Sequence, residues 1–118
     1  MYYTDLNGKS EPARKQGRIA KCEYVTTWSR DVSGDDVWEV EAGTTGYRGD
    51  VVKHGSRVYL RVQDLCGQGL HLWTGDQHGR METDELILEF CGDASLDAVK
   101  ESLRWMISIL EAQSEGVV

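Results

Sequence analysis

The thiol and imidazole groups of this chain, the types that most often ligate zinc, are Cys22, Cys66, Cys91, His54, His71 and His78. Zinc sites place two ligands close in sequence, as C-x-x-C or H-x-x-x-H, so that one turn or one helical face presents both. No two of these six stand at such a spacing. Cys66 and His71 bracket the turn Gly67-Gln68-Gly69, and a metal there would need a third ligand brought in from elsewhere. A Cys66 thiolate activated by His71 or His78 would need positive surroundings to lower its pKa, and Asp64 and Asp76 make the neighbourhood acidic. Cys66 is therefore expected to be a turn cysteine, with Cys22 and Cys91 as small core hydrophobes in or beside strands. No metal and no cofactor is expected.

Carboxylate pairs for acid–base work exist at Glu39/Glu41 and Glu85/Glu89. Both fall on strand positions expected to face solvent, where pairing across strands with Arg57 and Arg61 is the simpler account. Gly43, Gly46 and Gly49 form a glycine-rich loop, but it opens no helix and lacks the lysine of a phosphate-binding loop. The tripeptide Arg48-Gly49-Asp50 spells an integrin-binding motif, a length at which chance matches abound. Lys9, Arg14, Lys15, Arg18 and Lys21, with Tyr2, Tyr3 and Tyr24, could contact a single nucleic-acid strand by charge and stacking. The acidic remainder of the chain argues against it. No catalytic residue is assigned.

The elements that must hold these residues follow from hydrophobic periodicity. The chain is organised around Asp84 to Glu111, a strand that turns into a helix. Leu86, Leu88 and Phe90 alternate with Glu85, Ile87 and Glu89, the period of a half-buried strand. Beyond Cys91-Gly92-Asp93-Ala94, Ser95 is expected to cap a helix. Its face is Leu96, Val99, Leu103, Ile107 and Leu110, and Trp105 and Ile109 extend the apolar surface. Upstream, strands are expected over Arg18–Trp28, Val37–Ala42, Asp50–Lys53, Ser56–Asp64 and Leu70–Thr74, with turns at Ser33-Gly34-Asp35-Asp36 and His54-Gly55. Trp28 and Trp38 are expected in the core with Leu86, Leu88 and Phe90. Residues 1–17 read as a loosely held arm and 114–118 as a frayed tail. The fold class is α+β: a single domain, an antiparallel meander of five or six strands packed on one C-terminal helix. Either a curled sheet or a half-open barrel fits.

At 118 residues, 40% of them hydrophobic, the chain is long enough to bury a core without disulfides. Three widely spaced cysteines suit a reducing cytoplasm, and no run approaches the length of a membrane span. The net charge of −7 is uneven: residues 1–30 balance at +3 and residues 31–118 at −10. Such a field repels nucleic acid and membranes and speeds encounters with basic partners.

Trp73, Tyr59 and Ile87 are expected on the sheet face opposite the core, among acids. Aromatic residues ringed by charge are typical of protein-binding patches. The expected binding surface is Trp73, Tyr59, Asp76, Glu82, Asp84, Glu85 and Glu89. In size and acidity the chain resembles, as a genre, small acidic inhibitors such as toxin-immunity proteins and phage-encoded inhibitors of host defence. The expected function is occlusion of a basic cleft on a partner protein. Alternatives are a small-ligand-binding β-domain around Trp28, Trp38 and residues 43–54, or a hydrolytic or metal-dependent enzyme. The leftover stripe of Trp105 and Ile109 leaves a homodimer open.

Overall fold

The computed structural model describes residues 2–4, 10–20, 23–32, 38–47, 55–66, 70–73, 75 and 80–116. Among the described residues nine strands precede one helix: β1 (Tyr2–Thr4), β2 (Ser10–Pro12), β3 (Arg14–Ala20), β4 (Glu23–Val32), β5 (Trp38–Thr44), β6 (Arg57–Asp64), β7 (His71–Trp73), β8 (Arg80–Glu82), β9 (Glu85–Cys91) and α1 (Asp93–Ser114). Five of them form an antiparallel sheet in the order β3-β4-β5-β6-β9, with two-stranded ribbons β1-β2 and β7-β8 beside it. β3 and β9 are both open rims, so the sheet does not close into a barrel. The α+β architecture with a C-terminal helix is the one the periodicity indicates. The expected turn at Ser33–Asp36, the strand over Asp50–Lys53 and residues Cys22, His54, Asp76 and His78 lie outside the described residues.

One boundary differs. Arg18–Trp28 is not a single strand: the chain reverses after Ala20, which pairs with Glu23. No glycine, proline or asparagine marks this reversal, so propensity alone misses it. Arg14 to Gly17, read as part of a loose arm, are hydrogen-bonded to β4 as the start of β3.

Strand register sorts side chains onto two faces. Arg14, Ser29, Glu41, Arg61 and Ile87 lie opposite one another across the five strands and share the polar face. Lys15, Trp28, Ala42, Leu60 and Leu88 share the other, apolar face. α1 packs on the apolar face, against β6 and β9. The polar face is nevertheless the better buried: Thr27, Ser29, Glu41, Arg57, Tyr59 and Arg61 are all nearly inaccessible. The sheet buries them by curling on itself. Cα atoms of β3 and β6 come within 8 Å, where a flat sheet would hold those strands about 14 Å apart. The surface expected to meet solvent is thus the inside of a trough, and Glu41, Arg57 and Arg61 are interior residues. Alternation tells which residues share a face, but not toward which side a sheet bends.

The helix cap falls three residues before the expected Ser95. Gly92, at φ 99°, is its N-cap, a left-handed conformation that favours glycine. This junction is tied to the start of β6. Ser56 N donates to Asp93 Oδ1 at 3.0 Å, Ser56 Oγ to the Gly92 carbonyl at 2.9 Å, and Gly92 N to the Ser56 carbonyl at 2.7 Å. Tyr47 adds a second tie, donating to Asp97 and accepting from Lys100 Nζ at 2.9 Å. Leu96 is the helix's one buried residue. Leu110, expected on the core stripe, is 66% exposed and Trp105 64%. The helix is anchored by its first turns and reaches beyond the sheet contact.

Candidate functional site

The densest arrangement of functional groups is the polar face itself. Glu41 stands at its centre on β5, flanked by β4 and β6, with a side chain that is 0% exposed. Arg61 on β6 donates from Nε to Glu41 Oε1 at 2.7 Å, and Arg18 on β3 donates from Nε to Oε2 at 2.9 Å. Thr27 Oγ1 donates to the same Oε2. Arg61 extends the network to Glu39, to Gln63 Oε1 at 2.7 Å and to Glu85 Oε2 at 3.3 Å. Arg14 joins from β3, with Nη2 2.6 Å from Glu39 Oε2 and 3.3 Å from Asp31 Oδ1. Arg18 reaches Glu41 across the intervening β4, which the curl makes possible.

The charges set one another. Burial pushes the Glu41 carboxyl up, but hydrogen bonds from Arg18, Thr27 and Arg61 outweigh it and hold the group below the ordinary carboxylate range. Burial favours the neutral form of Arg61, and the Glu39 and Glu41 carboxylates overcome that and raise its pKa. The bond to Glu41 likewise raises Arg18. Burial raises Tyr59, with the Glu41 charge adding to it. A carboxylate held ionised among guanidiniums has no proton to exchange near neutrality, so this cluster suits holding the sheet's curl better than acid–base chemistry.

Linkage follows from the Glu41 shift. Its folded pKa is depressed, so the unfolded chain takes up the proton first as pH falls. The stabilisation is complete above the unfolded value of roughly 4.3 and is lost as pH drops through the folded value below it. Urea midpoints are expected to fall steeply only below about pH 4, and less steeply in Glu41→Gln. A wild-type acid limb no steeper than that of Glu41→Gln would show that Glu41 is not held this way.

The residues expected to form the binding surface are only partly gathered. Glu85 and Glu89 share a face of β9, with Asp84 just before it, and all three are exposed. The Glu85 carboxylate is shared with Arg61. Glu82 is exposed on β8, 3.7 Å from His71 Nδ1. Trp73 is 68% exposed on β7, in the separate ribbon. Tyr59 is a correction: it is 5% exposed and lies inside the trough opposite Glu89, so it is no surface anchor. Asp76 lies outside the described residues.

The expected pairing of Glu39 and Glu41 with Arg61 is present; what sequence reasoning missed is its burial and its extension to Arg18. The one sequence signal of the network is that charged residues occupy alternate positions in β3, β5 and β6, which reads equally well as a solvated face. Among the described residues no three His, Cys, Asp or Glu side chains are grouped so as to hold a metal. Cys66 is exposed and Cys91 half-buried. No described helix is long and apolar enough to cross a membrane. No protein-family model, curated protein or solved structure matches the chain.

Proposed function

We propose that this protein is an acidic inhibitor that binds a partner protein and occludes a basic surface on it, without bond-making chemistry of its own. It would act in the manner of immunity proteins and phage anti-defence inhibitors. The supporting observation is the division of charge. Arg14, Arg18, Arg57 and Arg61 are engaged on the inner face with Asp31, Glu23, Glu39, Glu41 and Glu85. Among the described residues, Asp84, Glu89, Asp97, Glu101, Glu111 and Glu115 are exposed and make no ion pair. Folding thus engages four arginines on the inner face and leaves these carboxylates outside along the β9 rim and α1, where Lys100 and Arg104 are the exposed cations of the helix. Trp73 supplies an exposed aromatic on β7, opposite Arg80 of the strand that carries Glu82, the residue type that anchors interfaces. The same field disfavours direct binding of nucleic acid.

A basic partner steered by this field would associate quickly at low salt and slowly at high salt. Retention of cell-extract proteins on the immobilised chain is expected to favour basic proteins and to weaken steeply with ionic strength. Asp84→Lys with Glu89→Lys should slow association of the captured partner by about 10-fold or more at low salt, with circular dichroism unchanged. Capture indifferent to both salt and charge reversal would remove the proposed surface.

A small-ligand-binding β-domain is the second reading, favoured by the apolar groove between α1 and the sheet, which encloses about 1000 Å³.

A further inference from the structure

β9 runs for seven residues without a bulge, paired one to one with β6 from Cys91 opposite Arg57 to Glu85 opposite Gln63. The hydrogen bonds just beyond its two ends fix which backbone groups it turns to β6. Asp64 N donates to the Asp84 carbonyl at 2.8 Å, and Gly92 N donates to the Ser56 carbonyl at 2.7 Å. Both continue the β6–β9 register, and hydrogen-bonded pairs recur at every second residue of an antiparallel ladder. Leu86, Leu88 and Phe90 therefore turn their N–H and C=O groups to β6. Glu85, Ile87, Glu89 and Cys91 turn theirs to the open side, where no described strand meets them.

The side chains above those open amides share one face, in the order acid, apolar, acid. Glu85, Ile87 and Glu89 are all exposed, Ile87 at 45%, and on the other face Leu88 is 42% exposed. Sheets commonly guard an outer strand with proline, a bulge, a short length or lysines. β9 has none of these. Glutamate is its one guard, and glutamate repels only a strand of its own sign. Such an edge admits an extended segment of opposite charge, whose backbone carries the ladder on. β3, the other outer strand, holds Arg14, Lys15 and Arg18 and would repel the same segment.

We propose that β9 accepts an extended basic segment of a partner protein as a sixth, antiparallel strand of the sheet. This rests on the reading of the chain as a binder of basic partners and names the form in which the partner is held. Pairing dictates the pattern of the segment. Cations at i and i+4 stand opposite Glu89 and Glu85, and an apolar residue at i+2 stands opposite Ile87. Apolar residues at i+1 and i+3 fall on the other face, beside Leu88 and Leu86. Glu89 is the stronger anchor, because it is in no ion pair among the described residues, whereas Glu85 is shared with Arg61 at 3.3 Å. The amides of i, i+2 and i+4 point into β9, and those of i+1 and i+3 point away from it.

Nuclear magnetic resonance of the isotope-labelled full chain, titrated with a synthetic peptide of this pattern, tests the proposal. The probe has lysine in its second and sixth places, valine in its third and fifth, isoleucine in its fourth and threonine at each end. The amide signals of Glu85, Ile87 and Glu89 are expected to shift most. Methylating the isoleucine amide nitrogen removes a donor to β9 and should weaken binding by about 10-fold or more. Methylating a valine amide, which points away, should change it by less than about 2-fold. Glu89→Lys should weaken binding by about 10-fold, and Glu89→Gln is the milder substitute if that variant fails to fold. Equal binding of the two methylated peptides, shifts centred away from β9, or no binding at millimolar peptide overturns strand addition. So does broadening of the β9 signals with protein concentration alone, which would give the edge to a second copy of the chain. A captured partner released by salt but not by the peptide would end this proposal and leave the reading of an acidic inhibitor standing.

Discussion

Arg61→Met is expected to destabilise the protein by about 3–5 kcal/mol, the cost of leaving a buried charge without its partner. Methionine keeps much of the arginine stem and removes the guanidinium. Glu41, with a side chain 0% exposed, would then keep only Arg18 and the Thr27 hydroxyl, while Glu39 on the same strand loses a cation as well. Arg18 is 40% exposed along its side chain and is partly screened by water, so it cannot substitute. Total stabilities run to about 5–15 kcal/mol, so this one change could leave a chain barely folded. The double replacement Arg61→Met with Glu41→Met should cost less than Arg61→Met alone, because the orphaned charge goes with it. Acid should narrow the gap between Arg61→Met and wild type, since loss of the guanidinium raises the Glu41 pKa and protonation then relieves the burial. Urea unfolding of the three variants at two pH values checks all of this. A loss below about 1 kcal/mol for Arg61→Met would place the network in the class of surface pairs.

Gly43→Ala should be nearly as severe, at about 3 kcal/mol or more. A Cβ on Gly43 would meet the Thr26 carbonyl oxygen and come within 2.8 Å of the Thr27 Cα. Both are backbone atoms of the neighbouring strand, and neither can yield without opening the β4–β5 ladder. Gly43 lies opposite Thr27 and Tyr59 on the trough side, where the curl brings strands too close for a side chain. Gly17→Ala is the matched control. Its Cβ would meet the tip of the Tyr24 side chain, which is exposed and free to swing. Its expected cost is under about 1 kcal/mol, since alanine also restricts the unfolded chain. Equal losses at the two positions, read from thermal or urea midpoints, would mean that the sheet is flatter than described.

Much of the fold was legible because strand alternation is a local property. Alternation puts Leu86, Leu88 and Phe90 on one face, and register sets them beside Val62, Leu60 and Val58. The pairing of Glu39 and Glu41 with Arg61 was also within reach, since oppositely charged residues at matching parity attract across strands. Arg57 instead lies 3.8 Å from Glu23 of β4. What could not be read was the direction of curvature. Inverting it exchanges inside for outside without altering a single alternation, which is why Tyr59 was expected on the surface and Glu41 in water. The hairpin between Ala20 and Glu23 was hidden for a related reason: tertiary pairing enforced a reversal that no turn residue announces. At the helix start, Ser95 had the chemistry of a cap, but Asp93 and Ser56 made the junction earlier in the chain by a contact between elements remote in sequence.

The charged rims of the sheet bear on how the molecule avoids growing into a polymer. β3 carries Arg14, Lys15 and Arg18 and no acid, whereas β9 carries Glu85 and Glu89 and no base. Zipping either border onto its own copy would stack like charge on like charge. Unlike borders would attract, and their head-to-tail joining would run on as a fibre. That attraction is reduced within each chain, because Arg14 and Arg18 pair with Asp31, Glu39 and Glu41, and Glu85 with Arg61, which leaves Lys15 on one border and Glu89 on the other. The lattice of guanidinium and carboxylate that fills the trough therefore also weakens the pull of one border on the other.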